Sequence, residues 1–206
     1  CRFCITTASL RGFKMMKDSA TTGEIVGASM IANNGVASGA AGGGVYHVQC
    51  FDKDGNLKWE EQGKNLVVNA GLKDMNDKYF SGSSYTAAWF VGLITGPGAS
   101  NTYIAGDTLP THAGWTEFTN YSGSRKAAVF GVATTADPSV ISTSASPASF
   151  TISGAGGVVA GAFLASVSSG TSGVLFSEAN FQSPGDRTVV SGDTLNVTYT
   201  FSLDAA

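Results

Sequence analysis

The final apolar run of this chain restricts the fold more than any other feature. Leu195, Val197, Tyr199, Phe201 and Leu203 alternate with Asn196, Thr198, Thr200 and Ser202. A period of two places the apolar set on one face of a β-strand and the amide and hydroxyl set on the other. One face is then buried and the other is not. Shorter runs of strand-like composition precede it: Ala87 to Thr95, Thr116 to Tyr121, Lys126 to Thr134, Ala148 to Ser153, Val158 to Ser166 and Val174 to Phe181. Gly, Ser, Pro and Asp separate them. Such a succession predicts an all-β fold, an antiparallel β-sandwich or jelly roll.

Upstream, Val45 to Phe51 and Asn56 to Glu61 flank Asp52-Lys53-Asp54-Gly55. The Asp-Gly pair supplies the positive φ of a hairpin turn. Asn65 to Val68 reads as a further short strand. A helix then starts at Asn69 or Ala70, carrying Leu72, Met75, Tyr79 and Phe80 at spacings of three, four and one, and stops at Ser81-Gly82-Ser83. Residues 1–44 differ in character. Glycines crowd positions 35 to 44, opposing helix and strand alike, yet Ile25, Val26, Met30, Ile31 and Val36 are anchors that a plain linker does not need. The expected organisation is an extended N-terminal arm over 1–44 and a β-sandwich domain over 45–206. Fully extended, residues 17–44 would reach about 90 Å, enough to cross onto a neighbouring subunit.

Charge narrows the functional classes. From Ala127 to the end the chain has one basic residue, Arg187, and five acidic ones, and charged residues are 13% of the whole. Ordinary soluble domains carry about twice that share. Charge on sheet edges is a principal defence against association, so a β surface this poor in it points to an assembly component. A net charge of −3 excludes the basic stripe of a nucleic-acid binder. No apolar run approaches the ~20 residues of a membrane span, and Cys1 to Ile5 lack the apolar core expected of a signal peptide.

Catalytic readings find little support. The histidines are His47 and His112. His112 lies near Glu117 and many hydroxyls, but no nucleophile-elbow pattern accompanies it. Cys1, Cys4, His47 and Cys50 are zinc-type ligands, yet positions three apart on a strand point to opposite faces, so no metal is expected. No cofactor motif is present. Gly106-Asp107-Thr108-Leu109 recurs as Gly192-Asp193-Thr194-Leu195, which reads as turn chemistry with Asp capping backbone N–H groups. Among the aromatics, Tyr103 and Trp115 lie near loops and are the candidates for an exposed glycan-binding platform. The competing reading for both is core or subunit contact.

An ordered set of motifs runs through residues 64–202: Lys64-Asn65-Leu66-Val67, Ala88-Trp89-Phe90-Val91-Gly92-Leu93, Gly106-Asp107-Thr108 and His112-Ala113-Gly114-Trp115-Thr116-Glu117. Tyr121-Ser122, Arg125, Gly161-Ala162-Phe163-Leu164, Gly185-Asp186-Arg187 and Ser191-Gly192-Asp193-Thr194-Leu195 complete it. In this order the chain resembles a family of small tailed-bacteriophage structural proteins, which includes capsid cement (decoration) and tail-fibre-like proteins. The resemblance implies a virion component, made in the host cytoplasm, with a sandwich or jelly-roll fold and no catalysis. The expected function is a cement protein on the capsid surface, a homotrimer bound to the major capsid protein through its arm (Ile25, Val26, Met30, Ile31, Val36). The alternative is a tail or head fibre component holding a host-surface glycan. Neither nucleic acid nor membrane is an expected partner.

Overall fold

The computed structural model describes residues 40–84, 88–182 and 185–205. The arm anchors Ile25, Val26, Met30, Ile31 and Val36 lie outside these residues. Twelve strands and one α-helix follow in order: β1 (Ala40–Phe51), β2 (Leu57–Lys64), β3 (Leu66–Val67), α1 (Asn69–Tyr79), β4 (Phe90–Thr95), β5 (Glu117–Phe118) and β6 (Lys126–Ala127). Then come β7 (Ser139–Ser142), β8 (Ala148–Thr151), β9 (Gly157–Ala165), β10 (Leu175–Asn180), β11 (Arg187–Val189) and β12 (Thr194–Ala205). They form two antiparallel sheets. The first runs β2-β1-β12-β7, with β8 beside β7 on β12. The second runs β3-β10-β9-β4-β5, with β11 also on β9 and β6 also on β4. The expected all-β sandwich with one short helix is what the chain forms. No helix among the described residues is long and apolar enough to cross a membrane.

Local chemistry accounts for the first hairpin. Gly55 takes φ +84°, and the Asp52 carboxylate accepts the backbone N–H groups of Asp54 and Asn56 at 2.9 Å each. These bonds hold the Asp52 carboxyl below its usual pKa, the Asn56 amide contributing most. In β12, Leu195, Val197, Tyr199 and Phe201 point into the core as the alternation requires. Leu203 does not follow; it is 40% exposed because the sandwich opens at that end. Between the sheets Tyr46 and Tyr199 pack with ring centroids 4.6 Å apart. Their hydroxyls meet Ser177: Tyr46 Oη lies 2.8 Å from its Oγ, which in turn reaches Tyr199 Oη at 3.4 Å. Asn65 adds an amide bond to Tyr199 Oη at 2.8 Å.

Two expectations need correction. Residues 40–44, placed in the arm, are the first part of β1 and pair with β12 from Ala40↔Ala205 inward. At Gly44 glycine is required, not merely tolerated. A Cβ on Gly44 would lie 2.7 Å from the Thr200 carbonyl oxygen and 2.9 Å from Tyr199 Oη. The strand expected over Lys126 to Thr134 pairs only at β6. Beyond it the chain crosses the sandwich edge, with Gly131 N–H bonding Ser142 O and Thr134 N–H bonding Val140 O. This segment covers the outer edge of β7. The apolar residues of α1 divide: Ala70 and Met75 pack, partly buried, against the core clusters, whereas Leu72 and Tyr79, with Phe80 just beyond the helix, are exposed. The one fully buried residue of the helix is Gly71, which rests on β10, where a Cβ would stand 2.4 Å from the Phe176 carbonyl oxygen.

The second sheet is covered on both faces. β9 is one continuous apolar run, Gly157–Ala165, with seven consecutive buried residues, the mark of a strand buried on both sides. Ala162 and Leu164 face the first sheet. Phe163 and Ala165 belong to a second cluster with Ile94, Leu109, Trp115 and Leu175. That cluster lies beneath the segment between β4 and β5.

Candidate functional site

Two regions stand out: a buried polar centre beneath the segment joining β4 to β5, and an apolar groove at the open end of the sandwich. The polar centre exists because β10 carries a bulge between Leu175 and Ser177. Phe176 and Ser177 consequently both serve the inter-sheet side, and Glu178 is turned under the segment on the other. Glu178 is fully buried. Trp115 Nε1 donates to its Oε2 at 2.7 Å, while Oε1 has no hydrogen-bond partner among the described residues. Burial pushes the Glu178 carboxyl up to about 8, opposed by the Trp115 bond and reinforced by the neighbouring Asp107 carboxyl. At neutral pH Glu178 therefore holds its proton, and a proton shared with Asp107 supplies the donor that two carboxylates lack.

The motif residues surround this centre in structural roles. His112 stacks on Trp115 at 3.8 Å between ring centroids, and its Nδ1 sits 3.2 Å from the Trp115 carbonyl oxygen. Glu117 is engaged by Arg125, whose Nε and Nη2 donate to the two carboxylate oxygens at 2.9 and 2.7 Å. The same guanidinium donates to Val167 O at 3.1 Å and lies over the Phe163 ring at 5.0 Å. Fork-to-fork pairing of this kind is geometrically specific; it ties β5 and β6 to the end of β9. His112 and Glu117 thus have separate partners. The two Gly-Asp-Thr-Leu stretches are both turns, as expected. Ile104 N–H donates to Asp107 Oδ2 at 3.3 Å, and Val190 N–H to Asp193 Oδ2 at 2.9 Å. Only Gly192 of their two glycines needs positive φ. Asp186 accepts Gly98 N–H at 2.6 Å, and Arg187 pairs with Glu61 at 2.6 Å.

The aromatic pair expected to offer a glycan platform is not open. Trp115 is 5% exposed, sandwiched between His112 and Phe163. Tyr103 is half-buried, and its hydroxyl donates to Asn180 Oδ1 at 3.2 Å. Burial raises that phenol to about 12. Of the zinc-type ligands, Cys1 and Cys4 lie outside the described residues. Cys50 is buried, its thiol pushed up to about 12 by burial and then by Asp193. His47 is on the opposite face of β1, 3.5 Å from Glu60. No group of three or more His, Cys, Asp or Glu residues able to hold a metal occurs among the described residues.

The apolar groove has a volume of about 790 Å³. Phe176, Tyr199 and Phe201 form its core side, Trp89 and Phe130 one wall, and Met75 and Tyr79 of α1 with Phe80 just after it another. Tyr79 is 83% and Phe80 78% exposed. Leu203 and Ala40, at the paired ends of β12 and β1, complete the rim. Sequence reasoning missed both regions. Glu178 was visible as a single acid within Val174-Leu175-Phe176-Ser177-Glu178-Ala179-Asn180, a setting that forces a carboxyl to be neutral or paired. The groove had a signal too, in the adjacent apolar pair Tyr79-Phe80 at the end of the helix. No protein-family model matches the chain, and comparisons with curated proteins and with solved structures return no match.

Proposed function

We propose that the chain is a structural protein of a tailed-phage virion, a cement protein that binds the major capsid protein and clamps adjacent subunits of the shell as a homotrimer. The observation that carries this reading is the uncharged flank of the sandwich. Between Lys126 and Glu178 the only charged residue is Asp137, and this stretch builds β7, β8 and the segment that runs along β7 through Gly131 and Thr134. The exposed positions of β8, Ser149 and Thr151, are hydroxyls. Charges concentrate elsewhere, on β2, α1 and the turns, in pairs such as Lys58–Asp193 and Arg187–Glu61. An uncharged flank is suited to burial against another subunit and poorly suited to permanent exposure. Attachment then comes from many modest contacts repeated by symmetry and involves no reacting group.

The test is stoichiometry. Quantifying this chain against the major capsid protein in purified particles gives a comparable copy number if it is cement. A handful of copies per particle assigns it to a tail or head fibre, and absence from particles refutes the virion reading. The trimer is tested by the mass of the purified protein in solution.

A further inference from the structure

Glu178 sits at a seam. It belongs to β10, yet two groups that engage its carboxyl come from the segment between β4 and β5: Trp115 donates to Oε2 at 2.7 Å, and the Asp107 carboxyl stands beside it. Both acids are buried. Residues 96–116 cover the outer face of the second sheet with little regular structure, a short 3-10 turn at Gly98–Ser100 and a bridge between Thr108 and Thr111. The ends of the segment are fixed, Gly96 N–H bonding Val158 O and Thr95 N–H bonding Thr116 O. Between them Leu109 and Trp115 pack in the cluster with Phe163 and Leu175. Polar ties complete the attachment: Tyr103 to Asn180 at 3.2 Å, Gly98 N–H to Asp186 at 2.6 Å, and Asn69 N–H of α1 to Ala105 O at 2.8 Å.

The other groups around this carboxyl do not neutralise a charge on it. Two phenols face it, Tyr103 from the segment and Tyr46 from β1, both pushed up by burial. Asp186, which faces Tyr103, is a further acid. β9 and β3, the strands that flank β10, carry no ionisable residue. His112 is stacked behind Trp115, and Arg125, over the Phe163 ring, is committed to Glu117. Loss of the Glu178 proton therefore sets two carboxylates side by side across the seam, in a place closed to water.

We propose that residues 96–116 form a pH-gated flap: loss of the proton that Glu178 shares with Asp107 frees the segment from β10, so that it lifts about its fixed ends and uncovers the apolar outer face at Phe163 and Leu175. The inter-sheet core, on the other side of β9 and β10, stays closed. The direction follows from the two environments of the carboxyl. Covered, Glu178 titrates at about 8; lifted into water, it returns to its ordinary 4.5. Below the lower value both forms hold the proton and opening is independent of pH. Between the two values only the covered form holds it, so opening becomes roughly tenfold more favourable with each unit of pH. Above the upper value the gain stops. The device is a property of the isolated chain and does not depend on the surface to which the protein attaches.

The experiment is hydrogen exchange in the isotope-labelled full-length protein, followed by NMR from about pH 5.5 to about 7.5, with each rate divided by its intrinsic chemical rate. The Trp115 indole N–H, which donates to Glu178, and the backbone N–H groups of Gly98 and Asn69 report opening of the flap. The amides of β12 report unfolding of the whole sandwich. The opening constant of the flap should rise roughly a hundredfold over this range and stay above that of β12 throughout. In Glu178→Gln, which keeps the shape and has no proton to lose, it should change by less than about threefold. A wild-type flap that opens only as often as β12 unfolds, or that is indifferent to pH, overturns the proposal. So does a Gln variant with the wild-type slope, since another group then titrates. The wild-type contrast between flap and β12 stands without the variant, whose own fold is verified by protection of β12.

Discussion

Replacing Glu178 by Gln probes the buried carboxyl directly. In the unfolded chain the group titrates at its ordinary value of 4.5, and in the folded protein at about 8. Below pH 4.5 both states hold the proton and the group has no effect on the slope. Between 4.5 and 8 only the folded state holds it, so stability falls as pH rises. Above 8 the loss is complete. At about 1.4 kcal/mol for each tenfold difference in proton affinity, the full loss is about 5 kcal/mol. That is comparable with the whole ~5–15 kcal/mol stability of a domain. Gln keeps the shape, accepts from Trp115 and donates toward Asp107 without a titrating proton. The assay is urea unfolding of wild type and Glu178→Gln from pH 4.5 to 9. The two should agree within about 1 kcal/mol near pH 4.5, with the variant the more stable by several kcal/mol at pH 8.5. Taking the difference between the proteins removes the contributions of other titrating groups, including Asp52, whose shift has the opposite sign. A difference that stays flat across this range refutes a protonated Glu178.

Four further outcomes follow from the packing. Phe201→Ala and Tyr199→Ala each cost about 3–5 kcal/mol and yield insoluble or unfolded protein in expression and thermal-melt assays, whereas Thr198→Ala on the other face of β12 is tolerated. Gly71→Ala, a change that favours a helix by about 1 kcal/mol elsewhere, destabilises here because its Cβ meets the Phe176 carbonyl oxygen; a rise in melting temperature would show that α1 is not seated on β10 in this way. Glu117→Ala strands the buried Arg125 guanidinium and lowers stability by about 3 kcal/mol, and adding Arg125→Met recovers part of the loss. Removing residues 1–39 lowers retention on particles under heat or low salt, measured by sedimentation against the intact protein; equal retention counts against a role for the arm.

The sequence-to-structure correspondence is closest where a pattern is local. The Asp52–Gly55 turn, the start of α1 at Asn69 and the facing of Leu195 through Phe201 are each decided by neighbours in the chain. Failures occur where a distant group decides. Gly44 looks like part of a flexible linker until the Thr200 carbonyl and Tyr199 hydroxyl of β12 are packed against it. Leu72, Tyr79 and Phe80 have helical spacing yet are exposed, while Gly71 is the buried residue of the helix, seated on Phe176 of β10. Trp115 is in a loop, which usually means exposure, and is buried because Phe163 on β9 and Glu178 on β10 receive it. β7 and β11 are too short for periodicity to register. For the candidate site, the motif residues were visible in sequence and their partners were not, because bidentate and stacked pairs such as Glu117 with Arg125 are chosen in space.

The pairing of β1 with β12 has a consequence for biosynthesis. The first described strand finds its main partner only in the last, with Phe51 opposite Thr194 and Ala40 opposite Ala205. A nascent chain emerging from the ribosome can close the β1–β2 hairpin early, but the other edge of β1 has no partner until β12, more than 140 residues further on, has been made. Contacts this distant in sequence slow folding through the entropy of closing the intervening chain. A premature stop anywhere before β12 therefore releases a hairpin with an unmatched edge, a substrate for aggregation or proteolysis. Only chains completed through β12 can pair that edge and mature into the folded sandwich.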